Sequence, residues 1–107
     1  MWLFTKSGFY SAVQHYDNPD IIHVRARFKG DLERLWNRYL EGEPKVIHTP
    51  RNDYPYRMDI TRTNWAIILR EEAEKIDYEN FKDAAHDGTG RDAAYMGCWS
   101  ALRRSQD

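Results

Sequence analysis

The chain has 107 residues, of which 41% are hydrophobic and 31% are charged, and this size and composition are typical of one globular domain. They exclude a large multidomain protein and a disordered tail. Sixteen Lys and Arg residues nearly balance seventeen Asp and Glu residues, so the net charge is only −1 and any charged binding site must be local.

The first 28 residues predict a three-stranded antiparallel meander. They are rich in β-favouring residues and contain two turns, at residues 6–8 and 17–20, with glycine, asparagine and proline at the positions that turns require. The pattern is clearest in residues 21–28, where the even-numbered residues are apolar. Because side chains alternate along a strand, the even side is predicted to face the core and the odd side to face solvent.

Three basic side chains lie on the outward side of this third strand: His23, Arg25 and Arg27. If residues 17–20 form a four-residue turn, Tyr10 on the second strand pairs with Arg27. The pairing places Tyr10 on the same exposed surface as the basic residues.

A first amphipathic helix is predicted after the meander. Gly30 or Asp31 can cap its N-terminus, and Gly42 followed by Pro44 ends it. Its apolar residues follow the spacing of one helical face: Leu32, Leu35, Trp36, Tyr39 and Leu40.

A second hairpin is predicted from two strands, at residues 45–49 and 54–61, on either side of a turn at residues 50–53. Within the later strand, Arg57 and Asp59 share the outward side. The predicted inward side consists of Tyr54, Tyr56, Met58 and Ile60.

Further helices follow to the end of the sequence. Thr61 or Thr63 can cap a second helix. Its predicted buried stripe consists of Trp65, Ile68, Leu69, Ala73 and Ile76. A short helical piece at residues 78–85 and a loop at residues 86–90 precede a last helix at about residues 92–104. The predicted stripe of this helix consists of Tyr95, Cys98, Trp99 and Leu102.

This order of elements predicts a single α+β domain spanning residues 1–107. Four or five strands form an antiparallel sheet, and two to four helices pack on one of its faces. The other face is left for solvent or for a partner, and it is the first place to look for function.

The exposed sheet face carries the first candidate site, formed by Tyr10, His23, Arg25, Arg27 and Arg57. Arginine and aromatic side chains are suited to phosphate contact and base stacking, so a small nucleic-acid-binding sheet is one interpretation. The alternative is a solvated strand surface, because exposed strands commonly carry arginine for solubility and for cross-strand pairing.

An acidic helical surface is the second candidate, formed by Glu71, Glu72, Glu74 and Asp77. It could dock on a basic partner or mimic phosphates. Helix exteriors are often charged for solubility alone, and Arg70 and Lys75 are interleaved with these carboxylates, so a solvated helix surface is the simpler interpretation.

Few residues indicate catalysis, a metal or a cofactor. The four histidines lack metal-ligand spacing, the glycines at residues 88 and 90 lack the lysine of a phosphate-binding loop, and Ser11 and Cys98 have no visible general base. We therefore expect no metal and no cofactor. An acid–base site formed by His15, His23 and Asp59 stays open, because spatial neighbours are invisible in a sequence.

The single cysteine indicates a reducing compartment, since one thiol cannot form an intramolecular disulfide. No apolar stretch is long enough to cross a bilayer, and no basic segment precedes a signal-like core. We expect a cytoplasmic protein that does not engage a membrane.

Several segments together resemble a group of small bacterial and phage-type proteins to which no activity is attached. These segments are Met1 to Ser11 (Met-Trp-Leu-Phe-Thr-Lys-Ser-Gly-Phe-Tyr-Ser), Val24 to Arg27, Asp31 to Leu35, Tyr54 to Arg57 and Ile76 to Lys82. The resemblance implies a compact α+β protein with an accessory or mobile-element role, such as blocking a host defence complex. It assigns no functional residue.

The function expected from these observations is non-catalytic binding of another macromolecule, a protein or a nucleoprotein, through the open sheet or the acidic helix. Two alternatives remain: a nucleic-acid-binding domain that uses the arginines of the sheet, and a small enzyme with an unrecognised His/Asp site. The sequence does not indicate an oligomeric state.

Overall fold

A computed structural model describes residues 1–86, 88 and 90–106 of the chain. It contains two compact units, unit 1 (Met1–Ile76) and unit 2 (Asp77–Asp107). Among the described residues, no helix combines the length and the apolarity needed to span a bilayer.

Unit 1 contains a five-stranded antiparallel sheet with strand order β1-β2-β3-β5-β4. The strands are β1 (Trp2–Thr5), β2 (Gly8–Gln14), β3 (Ile21–Ala26), β4 (Ile47–His48) and β5 (Tyr56–Thr61). Two helices, α1 (Lys29–Tyr39) and α2 (Arg62–Glu74), complete the unit. The predicted α+β class, meander and second hairpin are confirmed.

The core of unit 1 lies between the sheet and its two helices. Its fully enclosed side chains come from alternate positions of the strands and from one stripe of each helix: Tyr10, Ala12, Ile22, Val24, Ala26, Leu32, Leu35, Met58, Ile60, Trp65 and Ile68. The even-numbered residues of β3 are all buried, as predicted. Both helices therefore cover the even side of β3, and no helix of unit 1 packs on the odd side.

The predicted register between β2 and β3 is wrong by one residue. Ser11 pairs with Arg25, and Val13 pairs with His23. His15 donates its backbone N–H to the Ile21 carbonyl at 3.0 Å, which leaves the five residues 16–20 in the turn instead of four. A shift of one residue moves every side chain of β2 to the opposite face.

Tyr10 therefore lies in the core and not on the exposed face. Only 1% of its surface is exposed, and its hydroxyl donates a hydrogen bond to the backbone carbonyl of Asp31 at 3.0 Å. This bond joins β2 to the first turn of α1. A Cβ atom at Gly8 would collide with the Tyr10 hydroxyl, so glycine at this position keeps the space that the ring needs.

Strand β3 is bounded by a turn at its start and by helix α1 after its end. Asn18 forms the β2–β3 turn by accepting the backbone N–H of Asp20 on its side chain and that of Ile21 on its carbonyl. At the other end, β3 stops at Ala26, and Phe28, which was expected inside, is 64% exposed at the N-cap of α1.

Helix α2 begins at one of its two predicted caps. Thr61 accepts the backbone N–H of Asn64 at 3.1 Å on its side-chain oxygen, which satisfies one of the free donors of the first turn. Trp65 and Ile68 are buried as expected, but Ala73 and Ile76 are exposed. The core contact of α2 therefore ends before the helix does.

Unit 2 contains α3 (Phe81–Ala84) and α4 (Gly90–Ser105). Phe81 stacks on Tyr95 with ring centroids 5.8 Å apart, and the Lys82 ammonium lies over the ring of Trp99. Cys98, which was expected in a core, is exposed, as are Trp99 and Leu102. Of the predicted loop at residues 86–90, residues 87 and 89 lie outside the described residues.

We predict that Tyr10 makes the stability of unit 1 decrease above pH 10. Burial raises the pKa of its phenol in the folded state, while the ordinary value of 10.0 applies to the unfolded chain. Above pH 10 unfolding therefore releases a proton, and the unfolding free energy falls by up to about 1.4 kcal/mol per pH unit.

The test is urea denaturation of the parent protein and Tyr10→Phe at pH 8 to about pH 11. The variant should lose about 1 kcal/mol at pH 8 through the missing hydrogen bond, and should then decline less steeply than the parent. The other tyrosines are common to both proteins, so they cancel in the comparison. Parallel pH profiles would contradict the assignment.

Candidate binding face of the sheet

The candidate site is the side of the sheet opposite α1 and α2. We call it the open face, and its strand residues are Trp2, Phe4, Phe9, Ser11, Val13, His23, Arg25, Arg57 and Asp59. The register of four strands aligns these side chains in rows that run across the sheet. Neighbouring strands are about 4.8 Å apart, so side chains within one row are close neighbours.

The central row joins an aromatic residue to two arginines. Trp2 pairs with Ser11, Ser11 pairs with Arg25, and Arg25 pairs with Arg57. Arg25 and Arg57 are directly paired on adjacent strands, and two like charges in such a cross-strand pair are unfavourable for the sheet unless other groups compensate.

The contacts of Arg25 offset the unfavourable pairing of the two arginines only in part. One of its terminal nitrogens donates to the Ser11 hydroxyl at 2.8 Å, and its guanidinium lies over the ring of Tyr54, 4.8 Å from the centroid. The Nε atoms of both Arg25 and Arg57 are buried and form no hydrogen bond with any residue that the structure describes. Each of the two side chains thus leaves one hydrogen-bond donor unused, and burying a donor without an acceptor costs free energy.

Tyr54 lies on the opposite side of the sheet from the one predicted. Two guanidinium groups lie over its ring, with that of Arg25 4.8 Å and that of Arg27 4.7 Å from the ring centroid, and the centroid of the Phe9 ring is 6.4 Å away. Strand β5 begins only at Tyr56, after Pro55, so the alternation of the strand does not extend to Tyr54.

Arg27 also belongs to this neighbourhood, although it follows the end of β3. Besides contacting the ring of Tyr54, it donates to the backbone carbonyl of Asp53 at 2.7 Å. Arg25 and Arg27 thus contact the same aromatic ring, a cation–π arrangement that suits the delocalised charge of arginine.

A polar chain occupies the next row of the open face. Nδ1 of His23 lies 2.6 Å from a carboxylate oxygen of Asp59, and Arg57 approaches Nε2 of the same ring at 3.4 Å. The geometry fits a neutral imidazole that donates from Nδ1 and accepts at Nε2. His15 lies beside them, with Nε2 3.9 Å from the second Asp59 oxygen.

The arginines of unit 1 differ in how their charge is compensated. Three arginines of helices α1 and α2 form ion pairs with carboxylates, whereas Arg62 at the start of α2 donates to a carbonyl and an amide oxygen. The three ion pairs are Arg34 with Asp31, Arg38 with Glu72, and Arg70 with Glu74. Within the described residues, none of Arg25, Arg27 and Arg57 forms an ion pair with a carboxylate. The open face and its margin therefore carry a local excess of positive charge in a chain whose net charge is −1.

The part of the open face that lies on β1 and β2 carries aromatic side chains. Phe4 and Phe9 are in contact at 4.6 Å, and the edge of one ring meets the face of the other between Trp2 and Phe9 at 5.9 Å. The indole of Trp2 is 67% exposed. These aromatic residues were not among the predicted site residues. Trp2 and Phe4 have the same parity on β1, and their place on the open face follows from the observed register of the strands.

The acidic candidates do not act as one solvated surface. Glu72 accepts hydrogen bonds from the Tyr39 hydroxyl at 2.8 Å and from Arg38 at 3.2 Å, so it fastens α2 to α1. Glu74 pairs with Arg70 along the exposed side of α2. Glu71 is partly buried on that helix, and Asp77 belongs to unit 2.

The remaining chemistry of the described residues is limited. No group of three or more His, Cys, Asp or Glu side chains in the described part of the chain is arranged to hold a metal ion. No family model, curated protein or solved structure matches the sequence or the fold of this chain. The site therefore has to be interpreted from its own geometry, and the family resemblance stays a prediction.

We predict that the neutral ring of His23 carries its proton on Nδ1. Asp59 can accept only from a protonated Nδ1, and Arg57 can donate only to an unprotonated Nε2. Long-range ¹H–¹⁵N spectra of the neutral ring should show this tautomer. Asp59→Ala should shift the population toward the Nε2-protonated form. A parent protein that already has the proton on Nε2 contradicts the described hydrogen bonds.

Proposed function

We propose that this protein is a non-catalytic binding protein that attaches to another macromolecule through the open face. The observation that carries the proposal is a set of three arginines that pair with no carboxylate of the described residues, on the same face as an exposed tryptophan: Arg25, Arg27 and Arg57 with Trp2.

The paired arginines of the open face cost free energy in the protein without a partner. Placing Arg25 opposite Arg57 opposes sheet formation, and each side chain also has a buried Nε donor with no acceptor. An anionic partner would reduce the repulsion and supply acceptors. A solvated surface that served solubility alone would be equally well served by alternating charges, as on α2.

The enzyme alternative draws support from one observation, the convergence of His15, His23 and Asp59. Their hydrogen bonds argue against catalysis, however. Both nitrogens of His23 are in contact with Asp59 and Arg57, and Nδ1 of His15 accepts the backbone N–H of Asp17 at 3.1 Å while its Nε2 faces Asp59. A general base needs a free nitrogen within reach of a substrate proton, so a polar network that orders the open face is the better interpretation.

The accessory or mobile-element role rests on the family resemblance alone. Blocking a host defence complex would require a binding surface, and the open face is a candidate for it.

The test is affinity capture from a host lysate with a double variant of the open face, Trp2→Ala with Arg27→Glu. Both side chains are exposed, so the fold should tolerate the changes. We expect the captured partner to be lost or reduced at least about tenfold, the effect of roughly 1.4 kcal/mol of lost binding free energy.

A matched control lies on the helical side. Ile67→Ala with Arg70→Glu removes one exposed apolar side chain and reverses one exposed arginine on α2, where the Arg70 side chain is 76% exposed. This variant should capture the partner as the parent does. Equal capture by the parent and both variants, with mass spectrometry showing the same proteins and nucleic acids, would refute the open face as the binding surface.

A further inference from the structure

We infer that the partner of the open face is a single-stranded nucleic acid, with phosphate groups bound by Arg25 and Arg57 and a base stacked on Trp2. This inference rests on the proposed function and names the chemistry of the partner. It is carried by the central row of the open face, where these three side chains are aligned by strand pairing.

The two arginines provide the anion site. Arg25 uses one terminal nitrogen on Ser11 and Arg57 uses one on His23, so at least one terminal nitrogen of each engages no other described residue. Their backbones are directly paired, so both forks can approach one anion or two successive anions. Guanidinium groups match phosphate oxygens through parallel N–H donors, and a phosphate between the two would offset their mutual repulsion.

Trp2 provides the stacking platform. Its exposed indole is supported at one side by Phe9, whose ring meets it at an angle of 80°, so the indole has a defined position. Along the row, Ser11 alone separates Trp2 from Arg25, and the two backbones are therefore about 10 Å apart. Base stacking on aromatic side chains beside a basic groove is the usual way in which sheets hold single strands without reading their sequence.

The combination favours a single strand over other polyanions. An acidic peptide supplies charge but no planar ring at every repeat, so it would leave Trp2 unused. In a duplex the bases are stacked on each other and are not available to an indole. Only an unpaired strand presents phosphates and free base faces in alternation.

A negative charge on the open face limits the affinity for a nucleic acid. Asp59 is 44% exposed and lies in the row next to Arg57, and its carboxylate repels phosphate. Since few cations take part and the net charge of the chain is −1, binding should depend on local contacts and should weaken with salt.

The experiment measures binding of the full chain to fluorescein-labelled oligo(dT) of about 12 nucleotides by anisotropy, between about 50 and 200 mM KCl. The logarithm of the association constant should fall linearly with the logarithm of the salt concentration. Each arginine on a phosphate contributes about 0.7 to that slope for a single strand, so Arg57→Gln should reduce its magnitude by about 0.7. Arg70→Gln on α2 should leave it unchanged.

Two further variants separate stacking from charge. Trp2→Leu should weaken binding by about 5-fold to about 150-fold without changing the salt slope, while Trp2→Phe should retain most of the affinity because it keeps an aromatic ring. Asp59→Asn keeps an acceptor for His23, and it should tighten binding at low salt. Circular dichroism melts verify that each variant is folded.

The outcomes distinguish this inference from the proposed function. If the folded parent does not bind the oligonucleotide, or if Arg57→Gln and Trp2→Leu bind as the parent does, the nucleic-acid assignment is overturned. Nuclease-resistant capture of a protein that the open-face double variant loses would then leave the proposed function standing with a protein as partner. Tighter binding to a duplex of the same length also overturns the assignment, because it excludes stacking on Trp2.

Discussion

The pairing of β2 with β3 through a turn of five residues decides which side chains reach the open face. This register directs the side chain of Tyr10 into the core, where its hydroxyl donates a hydrogen bond to α1, and it places Ser11 between Trp2 and Arg25. With one residue fewer in the turn, the two sides of β2 would exchange, and Tyr10 would leave the bond to α1. Both the packing of unit 1 and the composition of its candidate site thus follow from the same register.

The two sides of the sheet handle charge differently. On the helical side three arginines pair with carboxylates, and Glu72 connects the two helices through Tyr39 and Arg38. Surface pairs of this kind contribute little stability individually, but they cancel charge locally. On the open face the arginines contact an aromatic ring, a hydroxyl and an imidazole, none of which carries a negative charge. A protein with almost no net charge can therefore present one positive surface.

The sequence alone predicts the α+β class, the antiparallel sheet and the outward side of β3, because periodicity reports these features directly, and it offers Thr61 as one of two candidate N-caps of α2. It does not predict the register of β2, since Phe9, Tyr10, Ala12 and Val13 leave both sides of that strand partly apolar and only the turn length decides between them. Glu72 was predicted to be solvated because a sequence does not show that α1 places a tyrosine opposite it. The convergence of His15, His23 and Asp59 also depends on pairing between strands distant in sequence.

The ring of Tyr54, which the guanidinium groups of Arg25 and Arg27 both contact, affects the expected kinetics of binding. Long arginine side chains ordinarily lose rotational freedom when they bind a ligand, and this loss weakens association. Stacking on one shared ring restricts that freedom during folding, before any ligand arrives. For partners of equal charge, such preorganisation is expressed mainly as slower dissociation, so residence time should respond to this aromatic residue more than the rate of encounter does.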